Sequence, residues 1–141
     1  MKEYTRYSQA YKKAAVGTMD QRKLIIMLYD GAIRFLNGAI TRMQQDERYE
    51  AHKSLAKAKS IIAELLGSLN LERGGDIAQN LQRLYIYMFN ELIEANMNKD
   101  IDRINQVVEL LKDLRDGWQS IKPPGDTGEP GEKKKNINLR G

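Results

Sequence analysis

The residue types that most often do chemistry are scarce in this chain. It has no cysteine and a single histidine, His52, which excludes thiolate nucleophiles, disulfides and multi-histidine metal sites. His52 is flanked by Glu50 and Lys53, with no second ligand nearby, and reads as an ordinary exposed residue. The two Glu-x-x-His motifs that a di-iron site in a helical bundle needs are missing, as are a serine nucleophile paired with histidine and a phosphate-cradling glycine loop. Gly74-Gly75 alone is a helix break, not a nucleotide site. The reading is therefore no enzyme, no cofactor and no metal, and function has to come from apolar surface.

That surface is organised around the stretch Met19 to Gln45. At 100° per residue, Leu24, Leu28, Ala32, Phe35, Ala39 and Met43 form one apolar helix face. Ile26, Ile33 and Ile40 form a second stripe on nearly the opposite side, with Tyr29 between the two sets, so this helix is central or covered. Gly31 inside it costs roughly 1 kcal/mol against alanine, a loss that a close helix crossing would offset. Asp30 beside it reads as a surface group.

The totals fit one domain. At 141 residues the chain can bury a core without covalent staples, and its three prolines all lie from Pro123 onward, leaving everything before free to be helical. No apolar run follows Met1-Lys2-Glu3-Tyr4, and no stretch approaches the roughly 20 apolar residues of a membrane span, so a soluble, cytoplasmic protein without membrane insertion is expected. The net charge of +4 is modest, and basic residues alternate with acidic ones. This argues against nucleic acid as a partner.

Along the chain, residues 1–17 form an amphipathic segment with Tyr4, Tyr7 and Tyr11 on one helical face, ending at Val16-Gly17. So short a helix must dock or fray; it is either a permanent strap or a removable lid over an apolar groove. Thr18 or Asp20 caps the first long helix, which runs to about Gln45. Ala51, Leu55, Ala58, Ile62, Leu65 and Leu69 mark a second helix, with Ile61 off that stripe. After the Gly74-Gly75 break, Asp76 is suited to cap a third helix, which carries Ile77, Leu81, Leu84, Met88, Leu92 and Ala95 on its main face. Ile86, Phe89 and Ile93 make a second patch roughly 120° away, with Tyr85 joining the faces. The fourth helix carries Ile101, Ile104, Val108, Leu111 and Trp118, and Val107, Leu110, Leu114 and Ile121 widen that arc. Residues 123–141, with Pro123-Pro124-Gly125 and Lys133 to Lys135, read as a disordered solubilising tail. The expected fold is all-α, an antiparallel up-down four-helix bundle over residues 18–122 with a short N-terminal helical segment. Its first, third and fourth helices hold more apolar surface than such a bundle hides, so a partner should lie along the outside.

Gln9-Ala10-Tyr11, Lys23 to Ala32, Asn80-Leu81, Leu84-Tyr85-Ile86-Tyr87-Met88 through Leu92, and Glu94-Ala95-Asn96 together resemble the bacterial flagellar secretion chaperone FliS family, over about residues 4 to 121. Only the tail has no counterpart. The resemblance implies a cytoplasmic bundle that holds the disordered C-terminal segment of flagellin, blocks its premature polymerisation and keeps it export-competent, by coupled folding and binding in apolar grooves. It also allows an export-gate component, an anti-sigma factor or a flagellin assembly factor as further partners. The surplus apolar positions and the family's general arrangement together place the flagellin groove at Ile61, Leu65, Val107, Leu110 and Leu114, with Tyr85 and Phe89 contributing. Tyr7 and Tyr11 are the lid candidates. The rival from another class is a homodimer or larger assembly, a helical scaffold whose spare faces close on a second copy.

Overall fold

The structure, a computed structural model, describes residues 21–120, which form four helices. They are α1 (Gln21–Gln44), α2 (Arg48–Gly67), α3 (Leu71–Asn98) and α4 (Ile101–Ser120). Each packs on its neighbours in sequence and α4 closes back on α1, so the expected up-down bundle is the observed one. The expected N-terminal segment, the Thr18 and Asp20 caps and the tail lie outside the described residues.

α1 is the central element. Leu24, Leu28, Ala32 and Ala39 of its first face are buried, and so are Tyr29 and Ile33 between and opposite them. It contacts α2 most densely. A side-chain Cβ at Gly31 would sit 3.2 Å from Cδ1 of Ile61, which is itself 2% exposed. Ile61 thus packs closely against the glycine, and a methyl group there would push its Cδ1 aside by a few tenths of an ångström. By length and mean hydropathy of 1.3, α1 would qualify as a membrane span, contrary to the expectation that no stretch comes close. Half of that window is buried inside the bundle. Its apolarity belongs to a helix packed on two neighbours.

The turns explain where the helices start and stop. Asp46 takes the left-handed conformation at φ 61, and the Glu47 N–H returns to the Arg42 carbonyl at 2.8 Å. α2 therefore begins at Arg48, a turn earlier than the stripe from Ala51 implies. At the other end of the bundle the Asn70 side chain caps α3 by accepting from the Arg73 N–H at 3.0 Å. The helical path thus resumes before the glycine pair instead of at Asp76. Gly75 still interrupts it, at φ 56 and ψ −136, a backbone conformation open essentially to glycine alone. Lys99, at φ 54, ends α3, and Asp100 caps α4 by accepting from the Arg103 N–H at 3.0 Å. That bond, with the Arg103 guanidinium beside it, holds the Asp100 carboxyl below its usual range.

Candidate functional site

α3 is the helix least covered by its neighbours. It packs less densely on α2 and α4 than α1 does, and four of its apolar side chains are exposed along the regular part of the helix: Ile77, Ile86, Tyr87 and Met97. Two strips result, one on each side of its buried edge.

The first faces α4. Arg103 of α4 donates from Nη1 to both carboxylate oxygens of Glu91, at 3.0 and 3.1 Å, which fixes the register of the two antiparallel helices. Seven residues is two helical turns, so Leu84 and Ile77 continue the Glu91 side of α3, while Leu110 continues the Arg103 side of α4. Leu84, Leu110 and Leu114 are half-buried there, and Ile77 and Tyr87 are exposed beside them. An ion pair closes one end of this seam and apolar side chains line the rest.

The second strip faces α2. Phe89 is half-buried with the Lys59 ammonium 5.9 Å from its ring centroid, and Ile86 and Ile93 lie one turn to either side. Met97, 72% exposed, extends the strip to the end of the helix. There Asn96 and His52 share a hydrogen bond of 2.9 Å, the only specific contact of that histidine among the described residues.

Met88, Leu92 and Ala95 bury α3 in the apolar core, and one further buried contact that ties it to α1 is polar. The hydroxyls of Tyr29 on α1 and Tyr85 on α3 share a hydrogen bond of 2.5 Å across the bundle diagonal, with the two rings 6.5 Å apart. Burial pushes both phenols above their ordinary value, Tyr85 furthest because the charge and the hydrogen bond of the neighbouring Tyr29 hydroxyl also disfavour its ionised form.

The expected groove residues divide accordingly. Phe89 sits on the α2-facing strip, and Leu110 and Leu114 on the α4-facing seam. Ile61, Leu65, Tyr85 and Val107 are core side chains, 2% exposed or less, and wall no groove. The correction has a simple cause: each helix of a bundle packs on two neighbours, so positions beside the main stripe are consumed by the second contact. Ile77 and Leu84, read as main-face core, belong instead to the seam, and Tyr87 and Met97 were missed. Their signal was the seven-residue recurrence through Ile77, Leu84 and Glu91, and the spacing of Ile86, Ile93 and Met97.

Among the described residues no group of three or more metal-ligating side chains comes together. Among the described residues the fold is a four-helix bundle with two exposed apolar strips along α3. The chain belongs to the flagellar protein FliS family, whose family model matches residues 3–125. Similar proteins include the flagellar secretion chaperone FliS of Vibrio cholerae, 36% identical over 119 residues, covering 82% of this chain and 88% of that one. The FliS chaperone of Salmonella typhimurium is 36% identical over 118 residues, 83% of this chain and 87% of its own. That of Bacillus subtilis is 31% identical over 110 residues, 78% and 81% of the two chains.

Proposed function

We propose that this flagellar export chaperone binds the disordered C-terminal segment of flagellin in the cytoplasm, laying it as amphipathic helix and extended chain along the two strips of α3. The supporting observation is the apolar surface that α3 leaves uncovered on both sides of its buried edge, at Ile77, Leu84, Tyr87 and Leu110 on one and Ile86, Phe89 and Ile93 on the other. A segment that folds as it binds gains apolar burial and loses conformational entropy together, so the complex stays releasable for export. The same burial removes from flagellin the faces by which it would polymerise. Tyr7 and Tyr11, outside the described residues, are proposed as the lid that occupies a groove until the client displaces it.

Seeded polymerisation of purified flagellin, followed by light scattering, tests this reading. An equimolar amount of the chaperone is expected to hold flagellin in solution. Filament growth at the uninhibited rate would contradict it.

A further inference from the structure

The apolar seam between α3 and α4 has an acidic rim. Leu110 and Leu114 lie half-buried on the α3 side of α4. Beside them Asp102, Glu109, Asp113 and Asp116 recur at helical spacing, so they stand in one row along the outer face of α4. Few cations answer this row. Lys112 reaches Glu109 at 3.6 Å, and Arg115 divides itself between Asp116 and Asp30 of α1, both at 3.3 Å. Glu109 and Asp116 still expose 69% and 65% of their side chains. Asp102 and Asp113 are exposed and form no ion pair among the described residues.

The sequence holds a complement to this surface in residues 133–141, which lie outside the described residues. Lys133, Lys134, Lys135 and Arg140 carry its charge with no carboxylate side chain among them, and Ile137 and Leu139 are its apolar residues. In an extended chain, residues two apart point the same way at a spacing of about 7 Å. Leu110 and Leu114, four apart on a helix, are separated by about 6 Å along its axis, so the two pairs match. Reach is sufficient. Residues 121–132 span up to about 40 Å when extended, more than the roughly 30 Å length of α4, so the lysines can meet any carboxylate of the row. The family match ends at residue 125, before this segment begins.

We infer that residues 133–141 dock in the α3–α4 seam of their own chain, with the lysines on the carboxylates of α4 and with Ile137 and Leu139 against Leu110 and Leu114. The contact is intramolecular, so the high effective concentration lets a weak interaction fill the seam in much of the population. A client must then displace the segment, a competition that rests on the proposed reading of the seam as a flagellin groove. The strip facing α2 stays open for the client's first contact.

The test uses an equal mixture of isotope-labelled and unlabelled full chain with a carbodiimide, which joins an ammonium to a carboxylate where the two touch. Mass spectrometry of the digest is expected to find Lys133, Lys134 or Lys135 joined to Asp102, Glu109, Asp113 or Asp116 within one chain, in a yield that falls as salt rises. Lys133→Glu with Lys134→Glu and Lys135→Glu should raise flagellin affinity about threefold or more, because the seam is then open in a larger share of the molecules. Ile137→Asp with Leu139→Asp should raise it too, which separates docking in an apolar seam from charge attraction alone. No cross-link from the lysine run to α4 would overturn the inference, as would labels mixed as between separate chains, or flagellin affinity unchanged in both variants. Cross-links within one chain, combined with no flagellin binding by any form, would uphold the docking and refute the flagellin reading.

Discussion

The double substitution Ile86→Asp with Tyr87→Asp should lower affinity for flagellin about a hundredfold or more, with little change in melting temperature. These two side chains are 44% and 48% exposed and lie on opposite strips of α3, so nearly half of each stays open to a client while neither belongs to the core. Covering each of them with client removes apolar area from water, worth about 1.5–3 kcal/mol for a fully buried large side chain. A carboxylate in the same contact must be desolvated without a partner, which adds to the loss. Exposed substitutions outside the core usually move stability by about 0.5 kcal/mol or less. Titration against flagellin, paired with thermal unfolding of the free variant, separates the two effects. Ile61→Asp or Val107→Asp would not, because those residues are 2% and 1% exposed and an aspartate there would unfold the bundle. Unchanged affinity in the Ile86 and Tyr87 variant would remove α3 from the binding surface.

The second large effect concerns stability. Tyr29→Phe strands the Tyr85 hydroxyl, 1% exposed and bonded to Tyr29, at a cost of about 1–3 kcal/mol. For a domain of this size that corresponds to a melting temperature lower by on the order of 10 °C. Tyr29→Phe with Tyr85→Phe removes both partners and should recover most of the loss, since no polar group is then left unpaired. The pH dependence has a definite sign. A phenol whose folded pKa lies above its ordinary 10.0 contributes stability that is present below that value and lost as pH rises beyond it. The parent should therefore lose stability above about pH 10, and the double phenylalanine variant should lose less. Thermal unfolding across that range checks both statements; equal slopes would show that the tyrosine pair does not govern alkaline unfolding.

How much of this was legible in the sequence depended on range. The four helices follow from local periodicity, and Gly31 announced a close crossing because a glycine in a helix interior calls for a packing reason. The Ile61 contact confirms it. Capping was harder to read. Asn70 starts α3 ahead of the glycine pair because a side-chain oxygen can cap a single turn that Gly75 then redirects. The site was read only in part, since periodicity says which positions are apolar but not which neighbour consumes them. Phe89, Leu110 and Leu114 stayed at the surface, whereas Val107, one position from Val108 and on the same arc as Leu110, was taken into the core. The Tyr29–Tyr85 bond joins residues 56 apart on helices that are diagonal in the bundle. No local pattern encodes that distance.

Calorimetric titration of the chain with flagellin, intact and lacking its disordered C-terminal segment, bears most directly on the central claim. Binding of the intact protein alone, with a large negative heat-capacity change, is the expected result, because ordering a client tail on the strips of α3 buries apolar surface on both partners. Equal binding of the truncated form, or no binding of either, would contradict the claim.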